Sequence, residues 1–542
     1  MMKKNNSFNS NIFGNILTKP ILCLCLIATL TVLLISSGSL NSIDSRNRLQ
    51  VTHSLWMNVP QVREGDLPEN NTYVVSGRDG KNYATWGIGQ SLIMLPADVI
   101  SYKVTSEINK PDTFLDKIRT GIVSYLTFTP INVLSIIISF FFIRNLGFNN
   151  RQSIFGSLTL LFGTSFLSYA QVHQENSLLF LLTLSGYALS LKWVLTGSKF
   201  ILSLSALALG FGILVRIVGI IDILSVFLFV FSLLFLQAKT AGFNGHSLRK
   251  RILEYTFICG YIYLFYLALD RLYHWIRFGT LSGTYSSIWA EHYKAFNPHL
   301  PQSFPFSVPF EVGFFGVLFS PERSIFLFNP LLLITLILSV KYWKRINPII
   351  KTFIFSNIFL LFAYTSAHAK WFLWGGAGSW GPRYLTTPMQ MLGFLSIPLL
   401  LQLYPYITKG LERTFYKIIF LLSVLIQLSS VVFSFNLELA QAIDFQGSVF
   451  IVVQRIINLV ALLTENFEKW GLVPFSISSE EKHTFTIPRF MPWAISDNLP
   501  SSLSHALQIL WFVGLIILIV LVFIFLKRTA SGTYDTYQKV EK

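Results

Sequence analysis

Residues 200–237 read FILSLSALALGFGILVRIVGIIDILSVFLFVFSLLFLQ, an apolar run whose polar break lies between Arg216 and Asp222. At about 1.5 Å per residue, one helix of this length overshoots a hydrocarbon layer of about 30 Å. Two short helices joined by a tight hairpin at Arg216 and Asp222 fit better. The choice fixes the side of everything downstream. As one helix, the run places the cluster Arg249, Lys250 and Arg251 outside; as a hairpin, it places that cluster inside. Cytoplasmic loops carry the excess of Lys and Arg. Under the hairpin reading every inner loop is basic: Arg144 and Arg151; Lys192 and Lys199; Lys341, Lys344 and Arg345; Lys409, Arg413 and Lys417; and finally Lys527 and Arg528. The hairpin therefore wins, and both termini fall in the cytoplasm.

Working outward from this run, apolar stretches of similar length recur along all 542 residues. The composition is 52% hydrophobic and 13% charged, against about a quarter charged in soluble proteins. Bare backbone is intolerable in hydrocarbon, so these stretches are expected to be helices; the alternating strands of an outer-membrane barrel are absent. The pattern predicts an all-α polytopic membrane protein with about twelve spans, near 20–37, 121–143, 153–171, 177–196, 200–216, 218–237, 252–270, 324–341, 349–366, 385–404, 418–436 and 506–526. The net charge of +16 is scattered over short loops, which excludes a nucleic-acid footprint. Cys23, Cys25 and Cys259 lie inside apolar runs and form neither a disulfide framework nor a metal spacing. Lys3 and Lys4 followed by the run Ile21–Ser37 read as an uncleaved signal anchor rather than a signal peptide.

The resulting order is a cytoplasmic arm (1–19), a transmembrane module (20–436), an extracytoplasmic segment (437–505), a last span (506–526) and a cytoplasmic tail (527–542). The long loops 38–120, 271–323 and 367–384 and the segment 437–505 share the outer face, which is where the chemistry is expected. Residues 86–101, WGIGQSLIMLPADVIS, are too short to span and are expected to form a juxtamembrane helix.

Five stretches carry candidate chemistry. The first outer loop begins NSIDSRNRLQVTHSLW (41–56); its Asp44, beside Arg46 and Arg48, reads as a general base, a metal ligand or a helix N-cap. Gly77-Arg78-Asp79-Gly80 reads as a turn. VHQEN (172–176) puts His173 and Glu175 together at a membrane boundary, as a polar turn or as a partner for Asp44. Arg271, Arg277 and Arg323 sit among aromatics, as phosphate ligands or interface anchors. AHAKWFLWGGAGSWGPRYL (367–385) combines Trp371, Trp374 and Trp380 with four glycines, Lys370 and Arg383. Glycines allow close approach of backbone to a ligand, and indole faces suit sugar rings.

These stretches together resemble the GT-C superfamily of polytopic glycosyltransferases, in particular bacterial members similar to protein O-mannosyltransferases and the lipid A aminoarabinose transferase. The resemblance rests on Asp44 just after the first span, GRDGKNYATWGIGQSLIMLP, WIRFG (275–279), SPERSIFLFNPLL (320–332) and GSWGPRYL (378–385), spread over about two-thirds of the chain. It implies a bundle of about eleven to thirteen helices and an active site facing away from the cytoplasm. It also implies a polyprenyl-phosphate sugar donor, with a glycan, lipid or protein acceptor and no nucleic acid. Carried over, Asp44 is the catalytic carboxylate, with Glu175 as its aid. Arg277, Arg323, Lys370 and Arg383 are the implied phosphate ligands, with Arg78, His173, Trp380 and Tyr384 as further donor contacts. Many relatives have two adjacent acids in the first loop, whereas Ser45 follows Asp44 here. That departure weakens the case for a divalent cation on Asp44 and favours a lone base. The resemblance places the enzyme in the plasma membrane. A twelve-helix transporter or flippase and a lipid-linked polysaccharide polymerase or ligase are the competing readings.

Overall fold

The structure, a computed structural model, describes residues 19–63, 73–108, 112–241, 245–445, 450–476, 478, 487–496 and 499–530. All of the expected cytoplasmic arm but Lys19, and most of the expected tail, lie outside these. The described chain is helical apart from one short hairpin, β1 (Val74–Ser76) and β2 (Asn82–Ala84), paired antiparallel with Val75 opposite Tyr83. The Gly77–Gly80 turn closes it, with the Gly80 N–H donating to the Gly77 carbonyl at 3.2 Å.

The helices used below are α1 (Lys19–Ile35), α2 (Ile43–Ser54), α3 (Gly89–Thr105), α4 (Asp112–Val123), α5 (Thr129–Asn145), α6 (Asn150–Gly163), α7 (Phe166–Val172), α8 (Glu175–Thr196), α9 (Lys199–Val215), α10 (Ile220–Ala241) and α11 (Gly245–Phe278). There follow α12 (Tyr285–Phe296), α13 (Phe310–Phe319), α14 (Ile325–Phe328), α15 (Leu331–Lys341), α16 (Pro348–His368), α17 (Thr386–Leu403), α18 (Gly410–Ser430), α19 (Asn436–Asp444) and α20 (Ile451–Leu463). The last helix is Ser501–Ala530. The 200–237 run divides at Arg216, whose backbone is extended (φ −158°, ψ 121°) between α9 and a turn leading into α10.

Among the described residues, seven helices are long and apolar enough to cross a membrane, or eight if the pair α6 and α7, bent by 55°, is one span. This is a multi-pass membrane protein, but the count falls short of the twelve expected. The runs expected at 20–37, 200–216 and 324–341 fold as helices of only 11 to 17 residues. Such helices rise roughly 16–25 Å, short of a full crossing by themselves. The 324–341 run is interrupted at Asn329-Pro330, between α14 and α15. Conversely, the run expected at 252–270 belongs to the 34-residue α11, about 50 Å long, which carries Arg277 well beyond the span.

Inside the bundle, contact depends on small and polar side chains, because lipid tails compete with any apolar face. A Cβ on Gly186 of α8 would lie 2.6 Å from Leu209 of α9, so only glycine permits that approach. The Tyr187 hydroxyl on α8 meets Ser225 of α10 and Ser356 of α16, the latter at 3.1 Å, tying three helices. At the α6–α7 bend, the Ser165 N–H freed from the helix donates to Asn329 Oδ1 at 2.8 Å.

Candidate active site

Asp44 sits in the first turn of α2, where a carboxylate is favoured by the helix dipole. Ser42, not Asp44, holds the N-cap position, so the carboxylate remains available for other work. Its Oδ2 accepts from Arg383 Nη1 at 3.3 Å, and the side chain is 9% exposed. Arg383 ends the Gly-Trp loop and opens the turn into α17. Its carbonyl is held by Asn176 Nδ2 at 2.7 Å, and the same amide reaches Thr386 Oγ1 at 2.9 Å. The loop is thereby docked on the start of α8, one residue beyond Glu175.

Glu175 is buried. Its Oε2 accepts from Arg48 Nη1 at 2.9 Å, and its Oε1 lies 4.0 Å from Arg216 Nη1. Arg216 comes from the α9–α10 break and lies over the Tyr384 ring, 4.8 Å from its centroid. His368, at the end of α16, stacks on the same Tyr384 ring, at 4.3 Å and 7°. Each of the two carboxylates is matched by arginine, Asp44 by Arg383 and Glu175 by Arg48 and Arg216.

These groups line one cavity of about 620 Å³. Trp86, Trp289, Trp371 and Trp380 supply aromatic wall, and Ser434, Asn436 and Arg489 come in from the chain beyond α18. The cavity holds both charge for a phosphate and indole surface for a sugar.

Of the residues singled out in the sequence, Asp44, Glu175, Trp380, Arg383 and Tyr384 line the cavity, whereas Arg78, His173, Arg277, Arg323 and Lys370 do not. Arg277 donates to the Ala84 carbonyl at 2.7 Å and the Trp86 carbonyl at 3.2 Å, clamping the hairpin to the end of α11. Arg323 donates to the carbonyls of Ala377 (2.7 Å) and Ser379 (2.8 Å), so it braces the Gly-Trp loop from beneath. Both forks that the sequence offered to a phosphate are occupied by backbone oxygens, which present the same lone pairs. Arg78 lies over Trp275 at 4.2 Å, and Lys370 is exposed. His173 adopts a left-handed backbone (φ 61°) that lets its carbonyl accept from Ser45 Oγ; burial pushes its imidazole down to about 3. In the loop, Gly381 has φ +70°, and a Cβ there would lie 2.8 Å from Phe328, so this glycine is needed for both backbone and space.

Sequence reasoning missed the cavity roles of Arg48, Arg216, His368 and Arg489. The signal for Arg216 was present as the charged break in the 200–237 run. Among the described residues, no three His, Cys, Asp or Glu side chains gather where a metal ion could sit. Asp44 instead has Arg383 at hydrogen-bond distance.

No protein-family profile and no curated protein matches this chain. Among solved structures it is similar to ArnT from Cupriavidus metallidurans bound to undecaprenyl phosphate, with 14% identity and a TM-score of 0.41 over 84% of this chain and 72% of that one. It is also similar to the archaeal oligosaccharyltransferase AglB from Archaeoglobus fulgidus in complex with an inhibitory peptide and a dolichol-phosphate (12% identity, TM-score 0.39, 84% of this chain and 60% of that one). A third similar structure is the apo form of an Archaeoglobus fulgidus oligosaccharyltransferase (13% identity, TM-score 0.40, 86% of this chain and 60% of that one). The chain thus spans three-fifths of the length of these two archaeal chains.

Proposed function

We propose that this protein is a glycosyltransferase that moves one sugar from a polyprenyl-phosphate donor to an acceptor at the extracytoplasmic face of the plasma membrane. The observation that carries the reading is the Asp44–Arg383 pair, 3.3 Å apart on the wall of a cavity with three further arginines and four tryptophans. The sequence resemblance supports it, because Asp44 and Arg383 lie in two of the stretches on which that resemblance rests.

In the proposed step an acceptor hydroxyl or amine attacks the anomeric carbon as the bond from that carbon to the phosphate oxygen breaks. The bonding pair leaves with the phosphate, giving the polyprenyl phosphate, and inversion follows from attack opposite the leaving group. Asp44 takes the acceptor proton and passes it to water. Arg383 stabilises the charge that builds on the phosphate, as fixed donors do best in a site with little water. Because Asp44 and the phosphate would share Arg383, binding of the donor loosens the ion pair and frees the carboxylate to act as base. Glu175, matched by Arg48 and Arg216, holds those two cations in place.

The test is transfer of radiolabel from a panel of polyprenyl-phosphate sugars into membrane lipid extract by the purified protein. Asp44→Asn is expected to lower the rate roughly 10²–10⁴-fold, the usual worth of a general base, with an unchanged unfolding midpoint. Full activity in Asp44→Asn would refute the assignment of the base. Absence of transfer from every donor by folded protein would refute the reaction itself.

A further inference from the structure

We infer that His368 is a specificity-determining residue of this cavity, and that its imidazole Nε2 accepts a hydrogen bond from a hydroxyl of the transferred sugar. The inference rests on the transferase reading above and deepens it, because it assigns the sugar end of the donor to one stretch of wall.

His368 ends α16, lines the cavity and is half-buried. Its Nδ1 lies 3.0 Å from the carbonyl of Tyr364, one helical turn back. A carbonyl can only accept, so Nδ1 carries the proton in this contact. At pH 8, above the ordinary imidazole value of about 6.5, the ring holds one proton, and Nε2 is left as a bare acceptor. The Nδ1 edge is turned to the α16 backbone, which leaves the Nε2 edge for the cavity.

The ring is held from two sides. It stacks on Tyr384 at 4.3 Å and 7°, and Tyr364 lies nearly parallel to it at 6.0 Å and 17°. The Tyr364 hydroxyl donates to Asp222 Oδ2 of α10 at 2.7 Å. Asp222 is 3% exposed within an apolar span. A carboxylate there is expensive and is kept where it serves a purpose. Here it pins the last turn of α16 to the start of α10, and with that turn His368.

The neighbouring charges say what the lone pair meets. Arg383 and Tyr384 are consecutive; the first reaches Asp44 of α2, and the second stacks on His368 of α16. Arg216 and Arg383 stand over the Tyr384 ring, at 4.8 Å and 5.3 Å. A phosphate drawn to these guanidiniums brings its sugar against the same wall. Phosphate oxygens offer lone pairs and gain nothing from Nε2, whereas a sugar hydroxyl supplies the donor that Nε2 lacks. Both cavity carboxylates are already matched by arginine, so a hydroxyl proton is best met by a neutral acceptor such as this one.

The experiment measures donor kcat/KM at pH 8 for the polyprenyl-phosphate sugar that is transferred and for its monodeoxy analogues, with wild type, His368→Gln and His368→Asn. The glutamine puts an amide oxygen near Nε2; the asparagine puts an amide nitrogen near Nδ1 and removes the acceptor. His368→Gln should keep most of the wild-type value. His368→Asn should lower it roughly 5- to 100-fold, the worth of a hydrogen bond whose partner is left unpaired. One monodeoxy donor should carry that same penalty in wild type and lose it in His368→Asn. The reverse order, with His368→Asn active and His368→Gln impaired, makes His368 a prop for the Tyr364 carbonyl and overturns the inference. So does a loss in His368→Asn that is equal for the parent and every monodeoxy donor. A wild type that penalises no monodeoxy donor overturns it without any variant. A binding arm separates the inference from the transferase reading: thermal stabilisation of the detergent-solubilised protein by polyprenyl-phosphate glucose and mannose against bare polyprenyl phosphate. If no donor supports transfer yet the sugar adds stabilisation to wild type and His368→Gln but not to His368→Asn, the sugar contact stands and the transferase reading falls. An equal increment in all three proteins, or none in wild type, removes the sugar contact.

Discussion

Arg455→Met should destabilise the protein in a manner that depends on pH. Arg455 and Glu438 are both fully buried, with Nη2 to Oε2 at 2.6 Å. Arg455 also donates to the Phe433 carbonyl at 2.8 Å and lies 5.1 Å from the centre of the Trp380 ring. Without the arginine, Glu438 keeps Asn458 Nδ2, at 3.0 Å, as a side-chain donor to its carboxylate among the described residues. Breaking a buried pair of this kind costs about 3–5 kcal/mol. The carboxyl can escape part of that cost by taking a proton. Lifting a group of ordinary value 4.5 to neutrality at pH 7 costs about 3.4 kcal/mol, and each pH unit below that saves about 1.4 kcal/mol. Burial already raises Glu438 above its ordinary 4.5 in the wild type, and loss of Arg455 raises it further, so the deficit relative to wild type shrinks as pH falls from 7 and levels off once the wild-type carboxyl is protonated too. Denaturant unfolding in mixed micelles at pH 7 and pH 5.5 measures this. The double variant Arg455→Met/Glu438→Gln, with neither charge left, should lie above Arg455→Met at pH 7, giving a coupling of about 3 kcal/mol in a double-mutant cycle. A deficit below about 1 kcal/mol, or one independent of pH, would refute the reasoning.

Two further outcomes follow from the site. Arg323→Lys should lose about 1–3 kcal/mol of stability, because an ammonium cannot satisfy the carbonyls of Ala377 and Ser379 as the guanidinium fork does; unchanged unfolding with a raised donor KM would instead make Arg323 a phosphate ligand. His173 is held near 3 in the folded protein by burial, against 6.5 ordinarily. Its contribution is therefore complete above pH 6.5 and is lost as pH falls from 6.5 toward 3. His173→Gln should flatten that part of the stability profile, and identical slopes for the two proteins would count against it.

The helical, membrane-embedded architecture was legible because hydrocarbon imposes it: apolar runs must be helices, and the break at Arg216 is a charge that the run itself displays. Span number was less legible. Hydropathy cannot tell a full crossing from helices as short as α9 and α15. At the site, Asp44, Glu175 and Arg383 could be read because acid and base stand out against apolar neighbours. The partners of Arg277 and Arg323 were not legible for a physical reason: a guanidinium fork fits two backbone carbonyls as well as it fits a phosphate, and in the fold both arginines meet backbone oxygens. Arg489, which also lines the cavity, gave no local signal.

Trp380 has one more consequence. Its carbonyl accepts from Tyr169 at 3.1 Å, and its ring is met edge-on by Phe328 at 4.9 Å and by Phe435 at 6.0 Å, with Arg455 on its remaining side. Three side chains, Phe328, Phe435 and Arg455, thus converge on one indole, and Tyr169 holds its backbone. Residues 435–463 therefore do not transplant alone onto another scaffold. The smallest graft that keeps its footing includes positions 169, 328 and 380 as well.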